Sequence, residues 1–281
     1  MVHRLAERFW GSLRGLRGIE AVVVFGSAAR EEDFVEGLSD VDVLVILSRA
    51  DRELEEKIRG MARPPLSPAI MTKAEFLHEL GRGDPGVLLM CRGKPLYDSG
   101  FFRRLKARPT AFTQKRLLQL ALCALAISLE NCVQRENPRE ALSSAYHAAR
   151  HAFRAEILAG KHLLADSNQE ILEALPPRER KEFEIFLVAR RKFGSLGWRK
   201  LEQLNLLAHR ITNRILRRLV GERLSKRNPL YYRRLADKFF EKLDSSRPGN
   251  SRPGAVRRKS SARGAWPPPR ARSRRPSSSR A

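Results

Sequence analysis

Along the first hundred residues the spacing of apolar positions changes repeatedly. The opening stretch, "MVHRLAERFWGSLRGL", puts Leu5, Phe9, Leu13 and Leu16 on one side of a helix. "AVVVF" (21–25) and "VDVLVIL" (41–47) are rich in β-branched residues and apolar on both faces, which predicts two strands of one sheet covered on both sides. "ADRELEEKIRGMA" (50–62) predicts a helix, and "PPLSPAIMT" (64–72) a third short strand with prolines at its edges. "KAEFLHELGRG" predicts a short helix ended by glycine, and "GVLLMCRGKPLYDS" (86–99) an apolar segment, a Gly-Lys-Pro turn and a last extended piece.

From about residue 101 the pattern becomes heptad-like, without strands. Helices are predicted at 101–107, 112–135, 138–160, 167–174, 177–193, 197–221 and 228–243. In the sixth, Leu204, Leu207, Ala208, Ile211, Ile215 and Leu219 make one apolar stripe, with Arg210, Arg214, Arg217 and Arg218 projecting from the rest of the surface. Beyond Asp244 the chain is built from Ser, Pro, Gly and Arg, a composition that buries too little apolar surface to offset the entropy of ordering. The fold class expected is α+β: a small mixed sheet domain over 1–105, an all-helical bundle over 106–244 and a disordered basic tail over 245–281.

Charge changes the picture of partners, not of fold. The formal net charge is +24, and residues 245–281 hold eleven Lys or Arg and no Asp or Glu, so the other thirteen charges belong to the body. A surface this basic concentrates polyanions around it, and non-specific RNA contact through the basic helices and tail is expected as readily as a purely solubilising role. Trp266 is the only aromatic in the tail, too little stacking surface for a sequence reader. Cys91, Cys123 and Cys132 show no paired spacing, which excludes a disulfide framework or a zinc finger. The amphipathic start is no signal peptide, and the most apolar stretch, "LLQLALCALAISL" (117–129), is too short to span a bilayer. A cytoplasmic protein without a membrane partner is expected.

The chemistry concentrates between the first two strands. Asp40 and Asp42, at i and i+2, point to one face while Val41 and Val43 point to the other. Carboxylates this close repel unless they share a proton or a divalent cation. All-oxygen ligation suits Mg²⁺, which takes one or two carboxylates plus water and substrate phosphates. Gly26 and Ser27, at the end of the first strand, offer backbone amides and a hydroxyl to a phosphate, since glycine has no Cβ in the way. Either feature alone is ordinarily a turn or a solvated strand edge. Their combination points to a nucleotide held at the corner and a metal held by the acids.

"FGSAAR" followed by "SDVDVLV" resembles the signature of the polymerase-beta-like nucleotidyltransferase superfamily, in particular its minimal, kanamycin-nucleotidyltransferase-like members. The resemblance is strong over 21–47 and extends weakly to about 105. It implies that Gly26 and Ser27, with Ser39 beside them, bind a nucleoside triphosphate, ATP being the first choice. It further implies that Asp40 and Asp42 hold Mg²⁺ and promote transfer of a nucleotidyl group to a hydroxyl acceptor of unknown identity. Arg30 matches the motif's arginine and is either a phosphate contact or a surface ion pair with Glu31 or Asp33. Glu31 replaces the usual glycine, and the third carboxylate that active members carry on a later strand is missing from "LSPAIMT", while Glu75, Glu79 and Asp84 fall on a helix or loop. The alternative function is therefore a catalytically impaired nucleotide- or RNA-binding regulatory protein. "ALSSAYHAARHAFRAEILAG" (141–160) is similar to HEPN-type helical domains but lacks their Arg-to-His ribonuclease spacing, which leaves acceptor binding or homodimerisation as the bundle's expected role. His147 and His151, one turn apart, lack a third metal ligand nearby, which favours hydrogen bonding over ligation.

Overall fold

The computed structural model describes residues 2–244. Its first half alternates short elements: α1 (Val2–Leu13), β1 (Ile19–Val24), β2 (Val41–Leu47), α2 (Arg52–Met61), β3 (Leu66–Thr72), α3 (Lys73–Arg82), α4 (Pro85–Met90) and β4 (Lys94–Asp98). The strands form a mixed sheet in the order β3-β2-β1-β4, with β1 antiparallel to both β2 and β4, and β2 parallel to β3. Val22, Val24, Val43, Val45 and Leu47 pack on Ala6, Phe9, Leu13 and Ile58 from α1 and α2. Ala21, Val23, Leu44 and Ile46 pack on Phe76, Val87, Phe101 and Phe102 on the other face. Both central strands thus have an apolar layer on each side, which is why neither shows a polar alternation. Asp42 shares its face with Leu44 and Ile46, at the start of β2.

Local chemistry fixes the short helices. Helix α3 opens with a capping box between Thr72 and Glu75 and closes at Gly83, whose φ is +81°. The Asp84 carboxylate accepts from the Gly86 and Val87 N–H groups to start α4. The helix expected at 101–107 is only a single 3₁₀ turn, Phe102–Arg104. The Asp98 carboxylate accepts from the N–H groups of Gly100, Phe102 and Arg103, and both phenylalanines turn inward against Phe76. Capturing those amides and burying those rings leaves no room for a second turn.

The second half is helical: α5 (Ala111–Gln134), α6 (Pro138–Lys161), α7 (Asn168–Ala174), α8 (Pro177–Arg191), α9 (Trp198–Val220) and α10 (Pro229–Asp244). The apolar stretch at 117–129 lies inside α5, which by length and composition alone could cross a membrane, but more than half of its apolar window is buried inside the protein. It is the central helix of the bundle, packed on α6, α9 and α10. On α9, Leu204, Leu207, Ala208, Ile211 and Ile215 are buried as the stripe predicts. The arginines beside them are less free than the sequence suggests: Arg214 donates to both oxygens of Glu182 (3.1 and 2.7 Å), and Arg218 pairs with Glu156. With Arg210, Asn213 and Arg217 they line an open groove of about 420 Å³. Cys91, Cys123 and Cys132 are unpaired thiols. The described residues make one compact unit, and the tail expected at 245–281 lies outside them.

Candidate nucleotide and metal site

Strand β1 does not release β2 at its end. The Phe25 N–H still donates to the Asp42 carbonyl (3.1 Å), and the chain then turns at Gly26 with φ +66° into a 3₁₀ turn, Gly26–Ala29. A Cβ on Gly26 would lie 2.8 Å from Asp42 Oδ2. The glycine therefore serves two needs at once: a left-handed backbone and an uncovered carboxylate. Gly26→Ala is expected to cost about 1–2 kcal/mol for the left-handed conformation and to push the Asp42 carboxyl aside. Thermal melts and nucleotide titrations should both register the change, and a variant indistinguishable from the native chain in both would show that the corner has slack.

The two acids occupy unequal settings. Asp42 is partly buried, and burial followed by the nearby Asp40 pushes its carboxyl up to about 7. Asp40, one residue before β2, is 41% exposed, and its Oδ1 accepts from Arg139 Nη2 at 2.8 Å. Across the parallel pairing, Ser67 on β3 lies beside Asp42. A third acid on β3 would have to occupy such a position, and a hydroxyl stands there instead. The acids left unassigned from sequence are engaged elsewhere: Glu75 in its capping box, Glu79 with Arg82, and Asp84 at the α4 start and near Arg116. Among the described residues, no group of three or more His, Cys, Asp or Glu is placed to hold a metal.

Ser39 and Arg30 each hydrogen-bond to the helical half. Ser39 Oγ accepts from the Val35 N–H (3.0 Å) and from Arg190 Nη2 on α8 (3.1 Å), and it is buried. The Arg190 guanidinium in turn stacks over the Tyr146 ring at 4.1 Å. Arg30 donates Nε to Asp33 (3.0 Å) and Nη1 to Asp166 (2.7 Å), a residue just before α7. Of the two sequence alternatives for Arg30, the structure shows an ion pair with Asp33, largely buried rather than on the surface, with Asp166 as an additional partner that the local sequence did not suggest.

Asp33 is buried and also accepts from the Asn168 N–H at the start of α7, with Arg150 3.5 Å away. Leu38, from the same connection between β1 and β2, packs in the bundle core. The aspartate-bearing connection is thus fastened to the helices at Arg30, Asp33, Leu38, Ser39 and Asp40. Arg139 and Arg190 are site neighbours that sequence reasoning missed, and no local signal marked them, since each is one of many helical arginines. His147 and His151 stack on each other with centroids 5.9 Å apart. Burial, reinforced by Arg190 at the first ring and Arg154 at the second, holds both well below the usual imidazole range.

The donor set fits one hard cation. Two carboxylates supply oxygens, and the missing Cβ of Gly26 leaves room beside Asp42 Oδ2. Residues 6–78 match the family model of the nucleotidyltransferase domain. No curated protein matches the chain. Among solved structures, a nucleotidyltransferase-like protein from Exiguobacterium sibiricum 255-15 aligns over 86% of this chain and 92% of that one, at 15% identity and a TM-score of 0.29, too distant to carry any residue role across. The first three strands of the mixed sheet, the glycine corner and the aspartate pair all lie within the matched segment, and over residues 6–78 the chain is similar to that nucleotidyltransferase domain.

Proposed function

We propose that the protein transfers a nucleotidyl group, AMP from ATP, to a hydroxyl acceptor in a magnesium-dependent reaction. The observation that carries this reading is the close approach of the glycine corner to the acid, so tight that a Cβ on Gly26 would lie 2.8 Å from Asp42 Oδ2. Gly26 and Ser27 would seat the triphosphate through backbone amides and the Ser27 hydroxyl. Asp40 and Asp42 would hold magnesium, which supplies charge neutralisation on the phosphates during in-line transfer. The acceptor oxygen forms its bond to the α-phosphorus, the bond from that phosphorus to the bridging oxygen breaks, pyrophosphate leaves with the electron pair, and the acceptor's hydroxyl proton passes to water. With Ser67 where a third acid could stand, no carboxylate on β3 takes the acceptor's proton, and turnover is expected to be slow.

That same feature favours a second reading, a binding protein that keeps nucleotide affinity without turnover and meets RNA phosphates through surfaces such as the α9 groove. Labelled ATP, magnesium and a cell-extract acceptor pool separate the two. Pyrophosphate release and label transfer by the native chain, absent from the Asp40→Asn plus Asp42→Asn double variant, support the transferase. Saturable nucleotide binding with no release from either protein supports the second reading.

A further inference from the structure

Arg139 occupies a position that the transferase reading leaves unexplained. It lies in the first turn of α6, where Asn137 caps the helix by accepting from the Glu140 N–H and Pro138 fixes the first backbone angle. From there a single nitrogen, Nη2, donates both to the Leu38 carbonyl (3.1 Å) and to Asp40 Oδ1 (2.8 Å). The pair is about half exposed, so its worth to folding is small. Its placement matters more, because the oxygen it covers is one a divalent cation would need. The helix start fixes the Arg139 backbone, and the carbonyl of buried Leu38 keeps the guanidinium near Asp40.

We infer that Arg139 makes divalent-cation binding at Asp40 conditional on a triphosphate. The inference rests on the reading of Asp40 as a metal ligand. A bare cation approaching Asp40 must displace the guanidinium from the carboxylate and then remain beside it, two positive centres sharing one acid. A cation arriving with a triphosphate brings its own negative charge. The guanidinium, released from Asp40 but still tied to the Leu38 carbonyl, then has a phosphate oxygen to take in exchange, and Arg–phosphate pairs are among the stronger charge-assisted contacts. The helical half would thereby keep metal off the pair until substrate is present, and couple the two ligands through one side chain.

The test uses the full-length protein and Mn²⁺, followed by electron paramagnetic resonance, with and without a non-hydrolysable α,β-methylene ATP analogue, each titration corrected for Mn²⁺ held by the free analogue. The native chain is expected to bind Mn²⁺ at least tenfold more tightly with the analogue than without, inside the usual range of about 5–150-fold for ligand coupling. In Arg139→Gln the affinity for Mn²⁺ alone should rise about fivefold or more, and the gain conferred by the analogue should shrink correspondingly. Arg139→Lys, which keeps the charge, should retain most of the coupling, and circular dichroism melts of both variants exclude a folding defect as the cause. Equal Mn²⁺ affinities and equal coupling in the native chain and Arg139→Gln, with binding intact, would overturn this inference while leaving the transferase reading standing. Absence of any Mn²⁺ binding by the native chain, with or without the analogue, would overturn both.

Discussion

Asp33→Ala is expected to destabilise the fold by about 3–5 kcal/mol, the usual cost of removing one partner from a buried ion pair. The carboxylate is buried among Arg30, Arg150 and the Asn168 N–H, and accepts from the first and the last. Removing it leaves guanidiniums and a helix-start amide without their acceptor in a place water does not readily reach. Arg30 keeps Asp166, so the loss falls most heavily on Arg150 and on the start of α7. Asp33→Asn, which retains an acceptor oxygen for the amide but not the charge, should fall between the native chain and the alanine variant. For a unit of this size, a melting temperature lower by about 10 °C is the corresponding signal. Urea or thermal melts within 1 kcal/mol of native for Asp33→Ala would mean that the network carries no net stability.

The second large effect has the opposite sign. Asp42→Asn is expected to stabilise the metal-free protein near pH 8 by about 2–4 kcal/mol. Burial, with Asp40 adding to it, raises the Asp42 carboxyl to about 7 in the folded chain, against about 3.9 when unfolded. Between those values the folded chain holds a proton that the unfolded chain has released. Stability from this group is therefore fully present below about pH 4, falls as pH rises, and is gone above about pH 7. The full difference corresponds to about 4 kcal/mol, reduced here because the carboxyl keeps some contact with water at the mouth of the site. Melts from pH 5 to 8 in chelator-treated buffer should show the native chain losing stability towards the alkaline end, with the asparagine variant showing a shallower slope. Parallel pH profiles for the two proteins would remove the claim that this acid is held at an energetic cost.

Much of the architecture could be read from the chain because the signals were local. Period and capping residues carried the long helices α5, α6 and α9 and the strands β1, β2 and β3 close to their observed ends. The same holds for the pair of acids, since i and i+2 on a strand settle their shared face whatever surrounds them. The misread helix at 101–107 depended on Asp98 reaching forward to three amides and on two phenylalanines finding Phe76, none of which leaves a periodic trace. The second partner of Arg30 and the partner of Asp40 were out of reach for the same reason: Asp166 and Arg139 lie more than ninety residues away in the chain. The motif left Arg30 between a phosphate and a nearby carboxylate, and folding pairs it with Asp33 and with a second carboxylate on the other half of the protein.

Leu38 has one more consequence. Its side chain, from the connection between β1 and β2, belongs to the bundle core, as does that of Leu88 from α4. Truncation near residue 105 would strip both of cover and strand Arg30 and Asp33 without their distant partners. In this protein the smallest piece that could be transplanted into another scaffold with its aspartate pair in place is not the sheet but the sheet together with the helices beneath its loop.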